Sequence, residues 1–575
     1  MITLVKIGLF LVSSLGYWDL FRRKCVVNLY FVPAFTVAVQ FLLLFAAGIL
    51  NILPEMAILI YGFGLALTMW GLVRDKLNGI KPHLNGGYLF LVAATVLVML
   101  AVRGKEFGWQ DSFSHWGLVT KNMLATDGFP NFLDKVVTFQ NYPLGSSAYI
   151  YYFAKMVNPD EDIQMLAQAF IMLQMILPLY AYIKKNRGLC TVLVALMTNF
   201  VMCYNIPITE LLVDTMLPLV GMCAVLFIHW HYFDEENPDK ERTSIYSAIP
   251  LLCFVTQVKN SGALFVLFAL VLLVILVKQD LRNIGPVAVV CASVLLVMFI
   301  WDRHCGYVFE SAAYSKHALT ADYLQQTGSD KSLADIQTIC KGVLVYMSTR
   351  KELFGLIGWM VILAGITCLL KPGLKRKYAA LVCFAVMMYV LYGAGMMGMF
   401  VFSMPRIAAL ALECIDRYTK TVDVAIGYLL AAYSLYLISA IDNRRMSVMT
   451  NVLFLLMAGI WHIQLGEQYH IFKLPAGSSV RTEIESPIEE YGVQKGYSYL
   501  VCSREDHYDM PYFIWKYQMD TMHVKQIVVE QESQMEIEKD YDYVIVLDEN
   551  NAIIQSWVEA HYPDQAGKRV IQAFK

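Results

Sequence analysis

Apolar and polar positions in this chain alternate on the scale of whole segments, not of single residues. A bilayer-spanning helix needs about 20 apolar residues, and shorter runs serve inside a bundle. About fourteen runs meet that test, near 2–19, 27–50, 53–73, 87–102, 163–183, 189–205, 210–231, 245–258, 261–278, 284–301, 353–370, 377–402, 421–441 and 445–464. Several contain Gly or Pro, which membrane helices tolerate because neighbouring groups satisfy the freed backbone. Met1 to Trp18 lacks a basic start followed by a small-residue cleavage site. It reads as a retained membrane segment, not a removed signal peptide.

The basic residues orient these segments. Arg22-Arg23-Lys24, Arg74 to Lys81, Lys184-Lys185-Arg187, Lys240 to Arg242, Lys278 to Arg282, Lys371 to Lys377 and Arg444-Arg445 each follow an odd-numbered segment. All therefore fall on one side, which the Lys/Arg bias of short loops makes the cytoplasm. Three large polar regions then face outward: 103–162, 302–352 and the tail from 465. Smaller outward turns fall at Asn205 to Thr209, Gln257 to Ser261 and Ser403 to Lys420.

Beyond residue 464 the pattern changes to short apolar runs between turn residues. Tyr499-Leu500-Val501-Cys502, Val524 to Val529 and Tyr543 to Leu547 read as buried strands, and Pro511 to Met519 and Ala552 to His561 as helices. That alternation predicts a small α/β domain with a largely parallel sheet. The expected architecture is mainly α, a polytopic transmembrane bundle of about 13–14 helices with a small extracytoplasmic α/β C-terminal domain. Its parts are N-terminal membrane helices over 1–86, a membrane core over 87–464 and the outward domain over 465–575.

Composition agrees with lipid as the main solvent: 58% of residues are hydrophobic and 16% charged, against about 25% charged in soluble domains. The net charge of −2 gives no reason to expect a nucleic-acid partner. The 12 cysteines include no CxxC pair and sit mostly in apolar runs, as small buried hydrophobes do. Cys305 and Cys340 share one polar loop, where pairing depends on an oxidising compartment. The tail has no G-x-G-x-x-G and no Walker A loop, so nothing supports nucleotide binding there.

The first large outward loop carries the densest chemistry, Gly108-Trp109-Gln110-Asp111-Ser112-Phe113-Ser114-His115-Trp116-Gly117. On a helix, Asp111 and His115 share a face. Trp109, Phe113 and Trp116 then form an apolar side suited to the membrane interface, predicting an amphipathic helix along the outer surface. An acid and an imidazole so held suit a base with a proton relay, or a divalent metal; a merely solvated polar face is the plainer alternative. Asn141-Tyr142-Pro143-Leu144-Gly145 predicts a rigid turn followed by a flexible point. Asp160-Glu161-Asp162 closes the loop and is similar to acidic triplets that hold metals in some sugar transferases; acids flanking a membrane helix are its ordinary reading.

Glu210 and Asp214 are four apart at the expected outer end of a helix, with Asp214 about one turn into apolar surroundings. An acid there faces a cavity or a cation, and Lys259-Asn260 on another outward turn supplies the cation. A third cluster holds Arg406, Glu413, Asp416, Arg417 and Tyr418, with Glu413 and Arg417 spaced to pair along a helix. Arginine is also the preferred ligand of phosphate oxygens.

An acid in the first large outward loop, an aromatic-Pro turn at its end and further acids at the next outward turn resemble the GT-C superfamily of integral membrane glycosyltransferases. The resemblance is to its bacterial branch, which uses sugars carried on polyprenyl phosphate, and covers residues 87–420 in layout. This chain departs from the pattern in having one proline in the turn, no Asp-x-Asp or Asp-Glu pair in the first loop, and three segments before the core. The resemblance implies a multi-pass cell-membrane enzyme moving a sugar from a polyprenyl-phosphate donor, amid membrane lipid, to a cell-envelope glycan, lipid or protein acceptor. It implies catalytic roles for Asp111, His115, Glu210 and Asp214, donor-phosphate binding by Lys259, Arg406 and Arg417, and substrate contacts from Tyr142, Trp116 and Asn260. A divalent metal, Mg or Mn, is left open. The competing readings are a polytopic transporter or lipid-linked-sugar flippase, and an outer-face polysaccharide polymerase or ligase. Transporters often show repeated halves, and no repeat is evident here. A polymerase would rely on cations in a late outward loop, here Arg303, His304, Lys316 and Arg350.

Overall fold

A computed structural model describes residues 2–573 apart from 79–84, 132–135, 138, 236, 238–239, 241, 310–324, 326, 465–470, 472, 475–478 and 537–540. Lys316 and the middle of the second outward loop lie outside the described residues, as do the expected loop ends at Lys81 and parts of the 240–242 turn.

Each of the fourteen apolar segments forms a helix. In order they are Ile2–Lys24, Val32–Ile49, Leu53–Leu77, Gly86–Val102, Glu161–Ile176, Arg187–Tyr204, Met216–Tyr232, Ile249–Val258, Gly262–Gln279, Ile284–Val308, Lys351–Leu370, Lys375–Phe402, Ile415–Ala440 and Arg444–Gln464. Ten helices among the described residues are long and apolar enough to cross a membrane. Burial sorts them. The Glu161–Tyr182 span is 100% buried and Ile415–Ala440 is 94% buried, whereas Lys351–Leu370 is 17% buried. The outer helices turn Phe63, Trp70, Leu295, Phe299, Val361 and Leu369 to the surroundings. An apolar surface of that extent is stable only against lipid, so the chain is a multi-pass membrane protein. Helices pack closely where glycine permits it: a Cβ on Gly16 would fall 2.2 Å from the Gly64 carbonyl oxygen.

Polar contacts gather at the two ends of the bundle. At the basic end Arg74 pairs with Asp19 at 2.8 Å, the Asn28 amide donates to His231 Nε2 at 3.0 Å, and the Lys184 amide donates to Ser439 Oγ at 2.9 Å. At the opposite end Trp301 Nε1 donates to the Asn141 carbonyl at 3.2 Å and Lys259 pairs with Asp214 at 2.9 Å. Cys305 sits at that end as a free thiol donating to the Gln140 carbonyl, and Cys340 is also free.

The tail forms the expected α/β unit. Strands β1 (Tyr499–Cys502), β2 (Val524–Ile527), β3 (Tyr543–Val546) and β4 (Val570–Gln572) make a sheet of order β2-β1-β3-β4. β1 runs parallel to β2 and β3, with Tyr499 opposite Val524 and Tyr543, while β4 is antiparallel to β3. β4 has three residues, too short to register as a period. Helices Met510–Met519 and Ala552–His561 fill the crossovers. Trp515 and Ile514 are fully buried against the rest of the core.

Candidate active site

At the end opposite the basic loops, a cavity of about 710 Å³ opens between helices. Four separate chain segments bring charge to it: Asp111 from the first loop, Asp214 from the turn before Met216–Tyr232, Lys259 from the turn after Ile249–Val258, and Arg417 from the first turn of Ile415–Ala440.

The Asp111 loop is short and fixed. Glu210 accepts from the Gly108 amide at 2.8 Å and from Ser112 Oγ at 2.6 Å, which closes the loop from below. Glu161 accepts from the Phe107 amide at 2.7 Å. The segment that follows, Ser112–Trp116, winds as a π-helix, the wider turn often found at functional sites. Asp111 leaves the loop to pair with Arg417 across the cavity. Arg417 also stands 4.0 Å from Asp214. Leu412 and Cys414 both adopt left-handed backbone, φ 50° and 61°, on either side of Glu413. Such non-glycine conformations cost about 1–3 kcal/mol each; here they turn the chain into the helix that presents Arg417.

Asp214 is buried, with its side chain 4% exposed, and accepts from Lys259 Nζ at 2.9 Å. Burial opposes its ionisation, but the Lys259 and Arg417 charges outweigh burial and hold the carboxyl below its ordinary value. Thr421 Oγ1 donates to the Asp214 carbonyl at 3.2 Å, tying the turn to the Ile415–Ala440 helix. The result is three carboxylates, Asp111, Asp214 and Glu413, and two cations lining one space, with Asp111 and Asp214 each paired to a cation in the free protein.

Several expectations need correction. Residues 112–116 do not lie along an outer surface: Phe113 is fully buried, His115 is 2% exposed, and Phe113 packs against Tyr517 of the tail at 5.4 Å between ring centroids. The tail domain covers this segment, so its apolar side meets protein, not lipid. His115 lines the cavity inside a box of Trp116, Phe139 and Tyr142, and among the described residues neither ring nitrogen has a hydrogen-bond partner. Burial, with the Lys516 charge nearby, pushes its imidazole down to about 3. Among the described residues, no hydrogen bond joins this ring to Asp111.

Glu210 and Asp214 share no helix face, because the helix begins at Met216 and residues 205–215 form turns. Glu210 is 1% exposed and points into the loop framework, away from the cavity. Burial raises its carboxyl to about 7, against the bonds from Ser112, Gly108 and Trp109. Arg406 is also elsewhere: it makes two bonds to Asp335, at 2.9 and 3.0 Å, on a helix outside the cavity. Glu413 precedes its helix and does not pair with Arg417 along it; both line the cavity wall. Gly145 is no hinge. It starts the Gly145–Met156 helix, and a Cβ there would fall 2.4 Å from the Gln257 carbonyl oxygen. Of the late-loop cations, Arg303 and His304 continue the Ile284–Val308 helix, and Arg350 pairs with Asp423.

Trp116, Tyr142 and Asn260 line the cavity, joined by Phe139, Tyr392, Tyr418 and Thr421, which sequence reading assigned no role. Tyr392 and Thr421 lie inside apolar helices, where no local pattern marks a residue as facing a cavity. Among the described residues no group of three or more His, Cys, Asp or Glu is placed to hold a metal. Asp111 and Asp214 each face a cation, Asp160 accepts from Asn158, Glu161 from the Phe107 amide and Arg481, and Asp162 from the Gly104 amide. Among the described residues these donors do not form a metal centre.

No known protein family matches the sequence, and no curated protein does. Two solved structures are similar: ArnT from Cupriavidus metallidurans in the apo state and the same protein bound to undecaprenyl phosphate. The apo structure has a TM-score of 0.41 at 10% identity over 82% of this chain and 94% of the other. The lipid-bound structure has a TM-score of 0.41 at 12% identity over 78% and 87%. Similarity of this degree assigns neither family nor activity.

Proposed function

We propose that this protein is a membrane glycosyltransferase that moves a sugar from a polyprenyl-phosphate donor to a cell-envelope acceptor at the outer face of the cell membrane. The observation that carries the reading is the meeting of Asp111, Asp214, Lys259 and Arg417 in one cavity at the end of the bundle away from the basic loops. The Lys/Arg bias of those loops supports an outward cavity, and the packing of the C-terminal domain on the same side supports an extracytoplasmic position for it.

The chemistry follows from the charges. A lipid-borne phosphate at the membrane surface needs cations, and Lys259 and Arg417 face it. The Ile415–Ala440 helix directs its positive N-terminal end to the same place. Asp111, on its short loop, takes the proton from an acceptor hydroxyl. The acceptor oxygen bonds to the anomeric carbon, and the bond from that carbon to the phosphate oxygen breaks. The charge gained by the departing phosphate falls on Lys259 and Arg417. Asp214 is the fixed anion that holds Lys259 in position. Trp116, Tyr142 and Asn260 line the wall where the sugar rests, the aromatic faces suiting its C–H surface.

The test is transfer of label from a polyprenyl-phosphate sugar to an envelope acceptor by the purified protein in detergent. Transfer that disappears in Asp111→Asn, with folding intact, is the expected result. No transfer from any such donor, together with substrate movement across sealed vesicles, would replace this reading with that of a transporter.

A further inference from the structure

The C-terminal domain reaches the loop that presents Asp111 through Arg481 and Tyr517. Arg481 lies on the Ser479–Glu490 helix of the tail, and its side chain is 4% exposed. Its guanidinium donates to the Phe107 carbonyl at 2.9 Å and to the two Glu161 oxygens at 2.8 and 3.1 Å. Its Nε donates to Glu485 at 2.8 Å, and the group stacks 5.1 Å from the Phe113 ring centroid. Glu161 in turn accepts from the Phe107 amide and from Tyr517 Oη. Both backbone polar groups of Phe107 are therefore held by the Arg481–Glu161 pair.

Three residues separate Phe107 from Asp111. The next amide, Gly108, and the Ser112 hydroxyl are held by Glu210. The loop that presents Asp111 is thus clamped at its start by a tail arginine and along its length by Glu210. Only a planar fork of donors reaches a carbonyl and two carboxylates at once; a lysine in this place would satisfy one or two of them.

We propose that Arg481 is a positioning residue that fixes the Asp111 loop, so that the C-terminal domain sets the geometry of the transfer site from outside the membrane core. The proposal rests on the transferase reading for its kinetic consequence, while the loop restraint stands on contacts alone. Lys259 and Arg417 come from other segments, so Arg481 holds neither of the cations proposed to bind the donor. The cost falls on the step that needs Asp111 within reach of the acceptor hydroxyl, where a displacement of about 1 Å lowers the rate by up to about a hundredfold.

The full-length protein in detergent serves for the test, with Arg481→Met, Glu161→Gln, their combination, and Arg481→Lys. Backbone hydrogen exchange over residues 107–112 is expected to rise about tenfold or more in the first two variants, with the Val32–Ile49 helix unchanged. Transfer should show kcat lowered about ten- to a hundredfold and KM for the polyprenyl-phosphate sugar within about twofold. Because both single changes break one link, the combined variant should be no worse than either within about twofold. Arg481→Lys should recover part of kcat. General unfolding would raise exchange everywhere and spoil KM with kcat, which overturns the positioning role. Unchanged exchange at 107–112, or an unchanged kcat in both single variants, also overturns it. If the unaltered protein transfers no sugar, the transferase reading has failed and exchange at 107–112 alone decides the restraint.

Discussion

If the cavity binds a lipid phosphate as proposed, Asp111 competes with it for the same cation. In the free protein the Asp111 carboxylate occupies the Arg417 guanidinium, with side chains 40% and 23% exposed. A phosphate that binds Arg417 must first displace that carboxylate, and the displaced Asp111 is then free to act as the base. Asp111→Asn removes the competing charge while keeping the shape and one acceptor oxygen. Two unit charges about 4 Å apart attract by about 1 kcal/mol in water and about 4 kcal/mol at an effective dielectric constant near 20. Asp111 is two-fifths exposed, so screening keeps the pair near the lower figure, about 1–2 kcal/mol. Each 1.4 kcal/mol is about tenfold in affinity. Asp111→Asn should therefore bind a polyprenyl phosphate about 5- to 30-fold tighter than the unaltered protein while losing transfer. The assay is direct titration of the lipid phosphate into detergent-purified protein by calorimetry or thermal shift, with Arg417→Met as the variant that loses binding. If the unaltered protein binds the lipid phosphate and Asp111→Asn binds it equally or more weakly, the exchange of partners at Arg417 is wrong.

Glu210 predicts a pH effect of definite sign. Burial raises its folded value to about 7 from an ordinary 4.5, so its contribution to stability is complete below about pH 4.5 and is lost as pH rises through 7. Glu210→Gln should remove that part of the decline, seen as thermal unfolding midpoints that converge with the unaltered protein at low pH and exceed it at pH 8. His115 stays neutral above about pH 3; the pH–rate profile of His115→Gln should keep the shape of the unaltered enzyme between pH 5 and 9, and loss of a limb near pH 6.5 would give the ring a proton-transfer role. Arg406 pairs with Asp335 outside the cavity, so Arg406→Ala should leave kcat/KM within about twofold and shift stability by no more than about 1 kcal/mol. Lys259→Met strands the buried Asp214 carboxylate and should cost about 3–5 kcal/mol of stability, along with donor binding; Lys259→Met with Asp214→Asn should regain the stability but not the binding.

The sequence alone determined the helices, because a span must satisfy its whole backbone internally and so writes itself as an unbroken apolar run. It determined the alternation of basic turns for the same reason: charge cannot cross lipid and stays where the helix ends. The tail strands Tyr499–Cys502 and Tyr543–Val546 were legible as apolar runs between turn residues, whereas β4, three residues long, carried too little pattern. The turns at Asp111, Asp214, Lys259 and Arg417 were visible as polar interruptions on one side. Which of them face each other was not, since pairing across 306 residues of sequence, as between Asp111 and Arg417, depends on how helices pack. Spacing misled at Glu210 and Asp214, where a four-residue interval suggests one helix face and the chain is instead turned until Met216. It misled again at Asp111 and His115, because a covering domain buries the second and a partner helix draws out the first. Tertiary structure decided those outcomes: burial encloses His115 among aromatic rings, Asp335 takes Arg406 away from the cavity, and Arg481 brings the tail to the Asp111 loop. Local pattern records what each segment must do to leave water; it does not record which polar groups remain for one another once every segment has done so.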